Sequence, residues 1–101
     1  MLVTLTLTTI KPDGTAWFPD YSEENRQTVA TINAWTKKQP GFINQTTVNT
    51  DPNTRVMTYE WDSVENYANW FSLRNSLPEQ ITRSAYNRAN GMKSVSNETL
   101  S

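Results

Sequence analysis

Residues 40–43 read PGFI, residues 55–63 read RVMTYEWDS and residues 64–70 read VENYANW. The proline and glycine of the first segment stop a helix. In the second segment Met, Tyr and Trp alternate with Val, Thr and Glu, which is typical of a strand. Asp62 and Ser63 are residues that cap a helix, and the third segment continues as that helix. The sequence from residue 40 to residue 70 therefore predicts a helix end, a hairpin of two strands and a capped helix.

The flanking segments extend this pattern to a small α+β fold. A threonine at every second position predicts a first strand with one apolar and one threonine-lined face. The order β-α-β-β-α(α)-β is ferredoxin-like, with a four-stranded antiparallel sheet, and we expect one domain over residues 1–101. The predicted strands cover 2–10, 42–49, 55–61 and 92–96, with a frayed tail after residue 96. The first helix is predicted over about 22–38 and the second begins at the cap Asp62 or Ser63. Residues 76–79 end the second helix and start a third, which runs to the C-cap Gly91.

Apolar spacing predicts which helix faces are buried. The segment from Ala16 to Pro19 is too apolar for a free surface loop, so we expect Trp17 or Phe18 to pack against the domain, the rim of the barrel or a partner chain. The predicted buried stripes are Val29, Ile32 and Trp35 in the first helix, Val64, Tyr67, Ala68 and Phe71 in the second, and Ile81, Ala85 and Ala89 in the third.

Composition argues against several classes of function. The chain has no histidine and no cysteine, so it lacks the commonest general base and the usual ligands of zinc and haem iron. Its net charge is -1 and Lys37 and Lys38 form the only adjacent basic pair, which disfavours nucleic-acid binding. The first residues lack a charged leader and a long apolar run. We therefore expect a cytoplasmic protein that binds no membrane, metal or cofactor.

Between residues 40 and 70 the chain resembles the antibiotic-biosynthesis-monooxygenase-like family of dimeric α+β barrels. Members pair a Pro-Gly-Phe after the first helix with a strand that ends in Trp, an acidic or Ser cap and an aromatic-rich helix. Residues 40–42, 59–63 and 65–70 carry these features here. The resemblance implies a homodimer in which two four-stranded sheets pack face to face. A weaker resemblance, carried by the threonine-rich first strand and the Trp-Phe-Pro segment, is to small uncharacterised proteins of marine tailed phages.

One activity of that family is the cofactor-free oxygenation of aromatic polyketides, in a pocket of Asn, Trp, Tyr and Arg that binds a substrate anion. The resemblance places Trp70 at the position of the tryptophan in the second helix, with Tyr67 and Arg74 nearby. Because Arg74 follows Trp70 by four residues, the two share a helix face and could set a cation beside an aromatic platform. Tyr59 and Trp61 complete the candidate ligand pocket, although large residues there also close a barrel end or fill a dimer interface.

A second family activity is haem degradation, in which a histidine ten residues after that tryptophan binds the iron. This chain has Gln80 at that position, and it has Thr6 or Thr8 where those members carry an asparagine. The missing ligand argues against haem. Glu60, on the other face of its strand, is either a buried general base or a solvent-facing or cross-strand-paired carboxylate.

Two hypotheses of different kinds follow. The first, favoured by the lack of histidine and cysteine, is a non-catalytic binding or assembly module, to which the weaker resemblance adds a phage origin. The alternative is a cofactor-independent monooxygenase-like enzyme that acts on a small aromatic substrate. This alternative predicts an enclosed cavity between sheet and helices, with Arg74 pointing inward beside Trp70. An Arg74 side chain in solvent, with no cavity, would exclude it.

Overall fold

The computed structural model describes all of residues 1–101 as a four-stranded sheet with helices on one face. The strand order is β2-β3-β1-β4, and every neighbouring pair is antiparallel. This is the ferredoxin-like arrangement, so the predicted fold class is confirmed. The elements are β1 (Val3–Ile10), α1 (Phe18–Tyr21), α2 (Glu23–Lys37), β2 (Phe42–Asp51), β3 (Thr54–Trp61), α3 (Val64–Ser76), α4 (Pro78–Ala89) and β4 (Lys93–Leu100).

The last strand differs most from the prediction. In place of a short strand and a frayed tail, β4 runs to Leu100 and pairs with β1 along its whole length. Leu2 and Ser101 extend the ladder by exchanging two backbone hydrogen bonds of 2.8 and 3.0 Å. The sequence KSVSNETL is polar and shows little alternation, so its strand character comes from the hydrogen bonds of the central strand it joins. That pairing is a long-range interaction, which local patterning does not report.

Local signals did place the starts of the two longest helices. The hydroxyl of Ser22 accepts a hydrogen bond from the backbone of Asn25 at 3.1 Å, and Ser63 does the same for Asn66 at 3.1 Å. Both serines therefore act as N-caps. Gly41 has φ +82 after the α2 helix end, and a Cβ there would collide with the side chains that follow β3. The Pro-Gly step thus needs its glycine for both conformation and space.

The sheet face that the helices cover changes in character along its length. At one end, facing residues of β1 and β3 are large and apolar, and at the other end they are polar or charged. Every second residue of a strand points to the same face, so each pair of facing residues on β1 and β3 forms one layer of the core. The chemical character changes step by step from one layer to the next. The successive register pairs are Val3 with Trp61, Leu5 with Tyr59, Leu7 with Met57, and Thr9 with Arg55.

The buried stripe of α3 differs from the predicted one. Tyr67, Trp70 and Arg74 are the buried residues of this helix, whereas Val64 is 49% exposed and Ala68 is exposed. The helix is rotated so that its aromatic residues meet the aromatic end of the sheet and Arg74 meets the polar end. Phe71 is only partly buried, at the margin of this core.

The apolar stripe predicted for α4 is wrong. Ile81 is 56% exposed and Ala85 and Ala89 are exposed, while Gln80 and Arg83 are buried. The orientation follows from tertiary contacts that the spacing cannot report. Tyr86, three residues after Arg83, packs edge-on against Phe18 and donates a hydrogen bond to the Ala16 carbonyl oxygen. Fixing that side of the helix turns its polar side toward the sheet.

In α2, the first predicted helix stripe is only partly confirmed. Ile32 is buried, whereas Val29 and Trp35 are half-buried, and Thr36 takes the next inward position. The threonine hydroxyl accepts a hydrogen bond from the Trp70 indole nitrogen at 3.1 Å. This contact fixes the indole of α3 against α2.

The apolar segment before α2 packs against its own chain, as expected. It forms the short helix α1, which the sequence did not predict, and both Trp17 and Phe18 are buried. Phe18 and Tyr21 contact Tyr86 of α4, with ring centroids 5.3 and 5.5 Å apart. The segment is thereby held over the polar end of the sheet.

The opposite sheet face carries no helix. Thr4, Thr6 and Thr8 of β1 lie at its centre and are half-buried, and the outer strands add exposed Val48 and Val95. None of the helices has both the length and the apolar character needed to cross a membrane.

Candidate functional site

A cavity of about 330 Å³ lies over the polar end of the sheet. The sheet forms its floor, α3 and α4 form its walls, and the α1 segment lies at its edge. It is partly open, rather than enclosed as the enzyme hypothesis predicted. Its volume is in the range of small-molecule sites. The residues that matter for its chemistry are Arg55, Arg74, Arg83 and Arg88, the aromatic residues Trp17, Phe18 and Phe71, and the amides Asn75, Gln80 and Asn87.

The charge of this cavity is one-sided. Four of the five arginines in the chain line it, and none of the ten acidic residues does. The one ion pair in the structure, Arg26 with Glu23 at 2.6 Å, lies on the surface of α2. A chain with net charge -1 thus concentrates positive charge in one concave site, which attracts anions.

Arg74 occupies the boundary between the cavity and the aromatic core. Its side chain is 5% exposed, and its guanidinium carbon lies 5.7 Å from the Trp70 ring centroid and 6.0 Å from that of Tyr59. Both rings can stabilise the cation through their π-faces. The Nε atom of Arg74 is buried without a hydrogen-bond partner, so the guanidinium keeps unused donor capacity beside the cavity.

Arg83, on α4, is a second buried cation of the site. Its one side-chain hydrogen bond is from Nη2 to the Met57 sulfur at 3.6 Å, and sulfur is a weak acceptor. Burial, which is the largest effect, and the positive charges of Arg74 and Arg55 together lower the pKa of Arg83 to about 10, while Tyr59 opposes the shift. The side chain is still protonated at neutral pH. It is therefore a charge without an ionic partner inside the protein.

Arg55 lies at the mouth of the cavity, next to Trp17 at the start of the α1 segment. Its guanidinium carbon is 4.5 Å from the Trp17 ring centroid, and Lys11 Nζ lies 5.5 Å from the same centroid. Burial lowers the pKa of Arg55, and the carboxylate of Asp20 partly offsets that effect. The indole is thus held by cations, and it also lines the cavity.

Of the five ligand-pocket residues proposed from sequence, only Arg74 lines the cavity. Tyr59, Trp61 and Trp70 are at most 2% exposed and form the aromatic core behind it, with ring centroids of neighbouring pairs 4.8 Å apart. Packing therefore accounts for these three residues. Trp70 also reaches a second groove, of about 370 Å³, between the end of α2 and α3, together with Gln39, Pro40, Asn66, Asn69, Ser72 and Leu73.

Tyr67, the fifth proposed residue, lies at the far end of the core. Its hydroxyl donates a 2.5 Å hydrogen bond to the carboxylate of Glu98 on β4. Burial raises the pKa of Tyr67, and the hydrogen bond and negative charge of Glu98 raise it further. The pair ties α3 to the last strand. Glu60, the carboxylate considered as a base, is a cross-strand partner of Asn44 at 3.4 Å on the face without helices.

Sequence reasoning missed Arg83, Arg55 and Trp17 as site residues. Arg83 follows Glu79 by four residues, the spacing of a surface ion pair on a helix, so its pattern predicts an exposed position. No such pair forms. The apolar Trp17-Phe18 segment was a usable signal, because two large apolar residues in a loop indicate packing against another part of the protein.

The sequence matches no protein-family model and no curated relative. The fold does match solved structures along nearly its full length. A variant of SnoaB, a cofactor-independent oxygenase from Streptomyces nogalater, aligns with TM-score 0.68 and 19% identity over 99% of this chain and 92% of that chain.

Two proteins named as antibiotic biosynthesis monooxygenases align similarly. The one from Deinococcus radiodurans has TM-score 0.65 and 12% identity over 100% of this chain and 92% of that chain. The one from Chloroflexus aurantiacus has TM-score 0.59 and 18% identity over 100% of this chain and 93% of that chain. The chain has the fold of the antibiotic biosynthesis monooxygenases. The resemblance found between residues 40 and 70 is thereby confirmed as a likeness of fold.

The expectation of a non-catalytic binding or assembly module is wrong. Four of the structures that match nearly the whole chain are named as an oxygenase or as monooxygenases, and they support the alternative hypothesis better than the first one. The lack of histidine and cysteine argues against metal and thiolate chemistry, and it does not argue against oxygenation without a cofactor. The phage resemblance stays a prediction.

Proposed function

We propose that this chain is a cofactor-independent oxygenase that acts on a small aromatic substrate in the arginine-lined cavity. The observation that carries the proposal is Arg74, which is buried beside Trp70 and borders a cavity of about 330 Å³. The inward position of Arg74 beside Trp70 agrees with the enzyme hypothesis, whereas the cavity is partly open rather than enclosed. The fold shared with a cofactor-independent oxygenase supports the same reading.

The chemistry that the cavity can provide begins with the ionisation of a phenol. A phenolate is far more readily oxidised than a phenol, and nearby positive charge favours the ionised form. With Arg74, Arg83 and Arg55 around it, a bound phenol would lose its proton at lower pH than in water. The cavity contains no carboxylate to act as base, so the proton leaves to solvent through the open side. The arginines then hold the anion in place.

The overall reaction balances without an external reductant. When a ring methylene activated by a phenolate becomes a carbonyl, the substrate gives up two hydrogens and four electrons. Dioxygen receives them, since one oxygen atom enters the carbonyl and the other leaves as water. The protein's part is to ionise the substrate, orient it between Phe71 and Trp17, and limit access of water to the reacting carbon.

The proposal is tested by oxygen uptake with 1,8-dihydroxy-9-anthrone, which has a phenol-activated methylene. We expect uptake above the rate without protein, one O2 consumed per anthraquinone formed, and no effect of catalase. Arg74→Met should lower kcat/KM at least about 10-fold, since it removes a charged contact to the anion. The matched control is Arg26→Met on the surface of α2. Uptake no faster than without protein would refute the proposal.

We also propose that the chain forms a homodimer through the sheet face that carries no helix. That face combines half-buried threonines on β1 with exposed valines on the outer strands, a mixture suited to a second sheet. Light scattering at micromolar concentration should give twice the chain mass of 11.6 kDa. A monomer under those conditions would refute the dimer and leave the cavity proposal intact.

A further inference from the structure

The cavity holds more positive charge than a single phenolate can neutralise. Arg55, Arg74 and Arg83 come from three different elements, and a fourth arginine, Arg88, lies at the edge. Arg74 and Arg83 are 5% and 7% exposed, and neither has an ionic partner in the protein. Burial of an unpaired charge costs several kcal/mol in general, a large part of the stability of a small domain. A second anionic group on the ligand would offset that cost.

The partners of Arg83 show where this second group belongs. The guanidinium has five N–H donors, and the structure gives it one weak contact, to the sulfur of Met57. Gln80, one turn earlier on α4, has a buried Oε1 without a partner, and its amide nitrogen donates to Ser84. The unused donors on this wall therefore belong to Arg83, whereas the Gln80 Oε1 is an unused acceptor that suits a hydroxyl rather than an anion. A carboxylate matches the planar fork of an arginine with two parallel hydrogen bonds.

The edge of the cavity that faces this wall is aromatic. Trp17 and Phe18 of the α1 segment border the cavity, and Phe71 borders it from α3. Trp17 is held by Arg55 and Lys11 and is 8% exposed, so its ring presents a small apolar edge in a fixed position, against which a ligand ring can pack. The cavity therefore joins an aromatic surface to a cationic wall.

We propose that the ligand of this cavity is an aromatic acid, whose ionised carboxylate binds at a subsite formed by Arg83 and Arg55 and whose ring lies against Trp17 and Phe18. The inference rests on the proposed function for the identity of the site, and it adds the substrate class. Arg83 and Arg55 are specificity-determining residues on this account, and Arg74 serves the ring that is oxidised.

The test uses a probe that carries the acid but cannot be oxidised. Titration calorimetry compares 2-naphthoate with 2-naphthamide, which has nearly the same shape and no charge. We expect 2-naphthoate to bind about 10- to 100-fold more tightly, the effect of one or two charge-assisted hydrogen bonds. Arg83→Met should remove most of that preference, and Arg83→Lys should restore only part of it because an ammonium lacks the planar fork.

Two controls keep the test decisive. Arg26→Met, at a surface arginine, should leave the preference unchanged. If Arg83→Met does not fold, the same titration is made with Arg55→Met, because Arg55 is half-buried at the mouth of the cavity. This variant should lose a smaller part of the preference for 2-naphthoate. Equal binding of the acid and the amide by the unaltered chain, or a full preference retained by both variants, would overturn the subsite.

The outcome is separable from that of the proposed function, because no turnover is needed. A preference for 2-naphthoate without any oxygen uptake on phenolic substrates would support the acid subsite and refute the oxygenase. Oxygen uptake without a preference for 2-naphthoate would support the oxygenase and refute the acid subsite.

Discussion

The two ends of the layer between sheet and helices are built on the same elements and contain opposite chemistry. At one end Trp61 and Trp70 pack with ring centroids 4.8 Å apart, and at the other Arg55 and Arg83 face a cavity. β3 contributes to both ends. The fully buried indole of Trp61 lies six positions after Arg55, the cation at the mouth of the site.

The aromatic end stabilises the fold, whereas the arginine end lowers the free energy of unfolding. Close-packed aromatic rings contribute free energy through burial and dispersion. Buried guanidinium groups without partners oppose folding. Arg74 marks the boundary, because its guanidinium contacts the aromatic rings on one side and the cavity on the other. Substitutions at the two ends should therefore change stability in opposite directions.

The largest expected effect is at the aromatic end. Trp70→Ala removes a side chain that is 1% exposed and packs against Tyr59, Trp61 and Phe71. The free energy of unfolding, measured in urea, should fall by about 3–5 kcal/mol. Leu73→Ala, at an exposed position of the same helix, is the control and should change it by about 0.5 kcal/mol or less. A loss below about 1 kcal/mol at Trp70 would contradict a core role for this end.

The next effect has the opposite sign. Arg83→Met replaces a buried cation with an apolar side chain beside Met57, which removes the desolvation cost. The free energy of unfolding should rise by about 1–2 kcal/mol in the absence of ligand. The same urea titration measures it, with Arg26→Met as the surface control. A fall of more than about 1 kcal/mol would mean that Arg83 holds the fold together rather than serving the cavity.

The smallest effect concerns the link between α3 and β4. Tyr67→Phe removes the hydrogen bond to Glu98 and should lower the free energy of unfolding at neutral pH by about 1–2 kcal/mol. The variant should also change the pH dependence. Because the pKa of Tyr67 in the folded chain is raised above its ordinary value of 10.0, the folded chain keeps this proton where the unfolded chain releases it.

The contribution of the Tyr67 proton to stability should therefore be lost as the pH rises through about 10, since the unfolded chain then releases this proton and the folded chain keeps it. The lowered pKa of Arg83 acts in the opposite direction in both chains. Tyr67→Phe lacks only the first contribution, so its stability should decrease less, or increase more, between about pH 9 and pH 11 than that of the unaltered chain. Urea titrations at these two pH values measure both slopes. Identical slopes for the two chains would show that the Tyr67 proton is not retained on folding.

The fold was predictable because its signals are local. The Pro-Gly helix stop, the alternation in β3 and the serine caps each act within a few residues. The polar strand β4 and the orientation of α4 were not predictable, because each depends on partners far away in the sequence. Thr8 of β1 pairs with Val95, and Tyr86 of α4 packs on Phe18.

The site was predictable only at its boundary. Arg74 was found through its spacing from Trp70, and the structure places it beside both the ring and the cavity. Arg83 has the spacing of a surface residue, and its burial follows from the turn of α4 set by tertiary contacts. The sequence also made the aromatic residues look like ligand contacts, since large rings suit a pocket wall and a core equally well.

The most direct test of the account is to locate a bound aromatic acid by the amide NMR shifts that 2-naphthoate causes. The largest shifts are expected at residues around the cavity, such as Thr9, Trp17 and Arg83, with little change at Trp61 and at the far end of the core. Shifts concentrated in the groove between α2 and α3, or on the sheet face without helices, would contradict the claim that the arginine-lined cavity is the functional site.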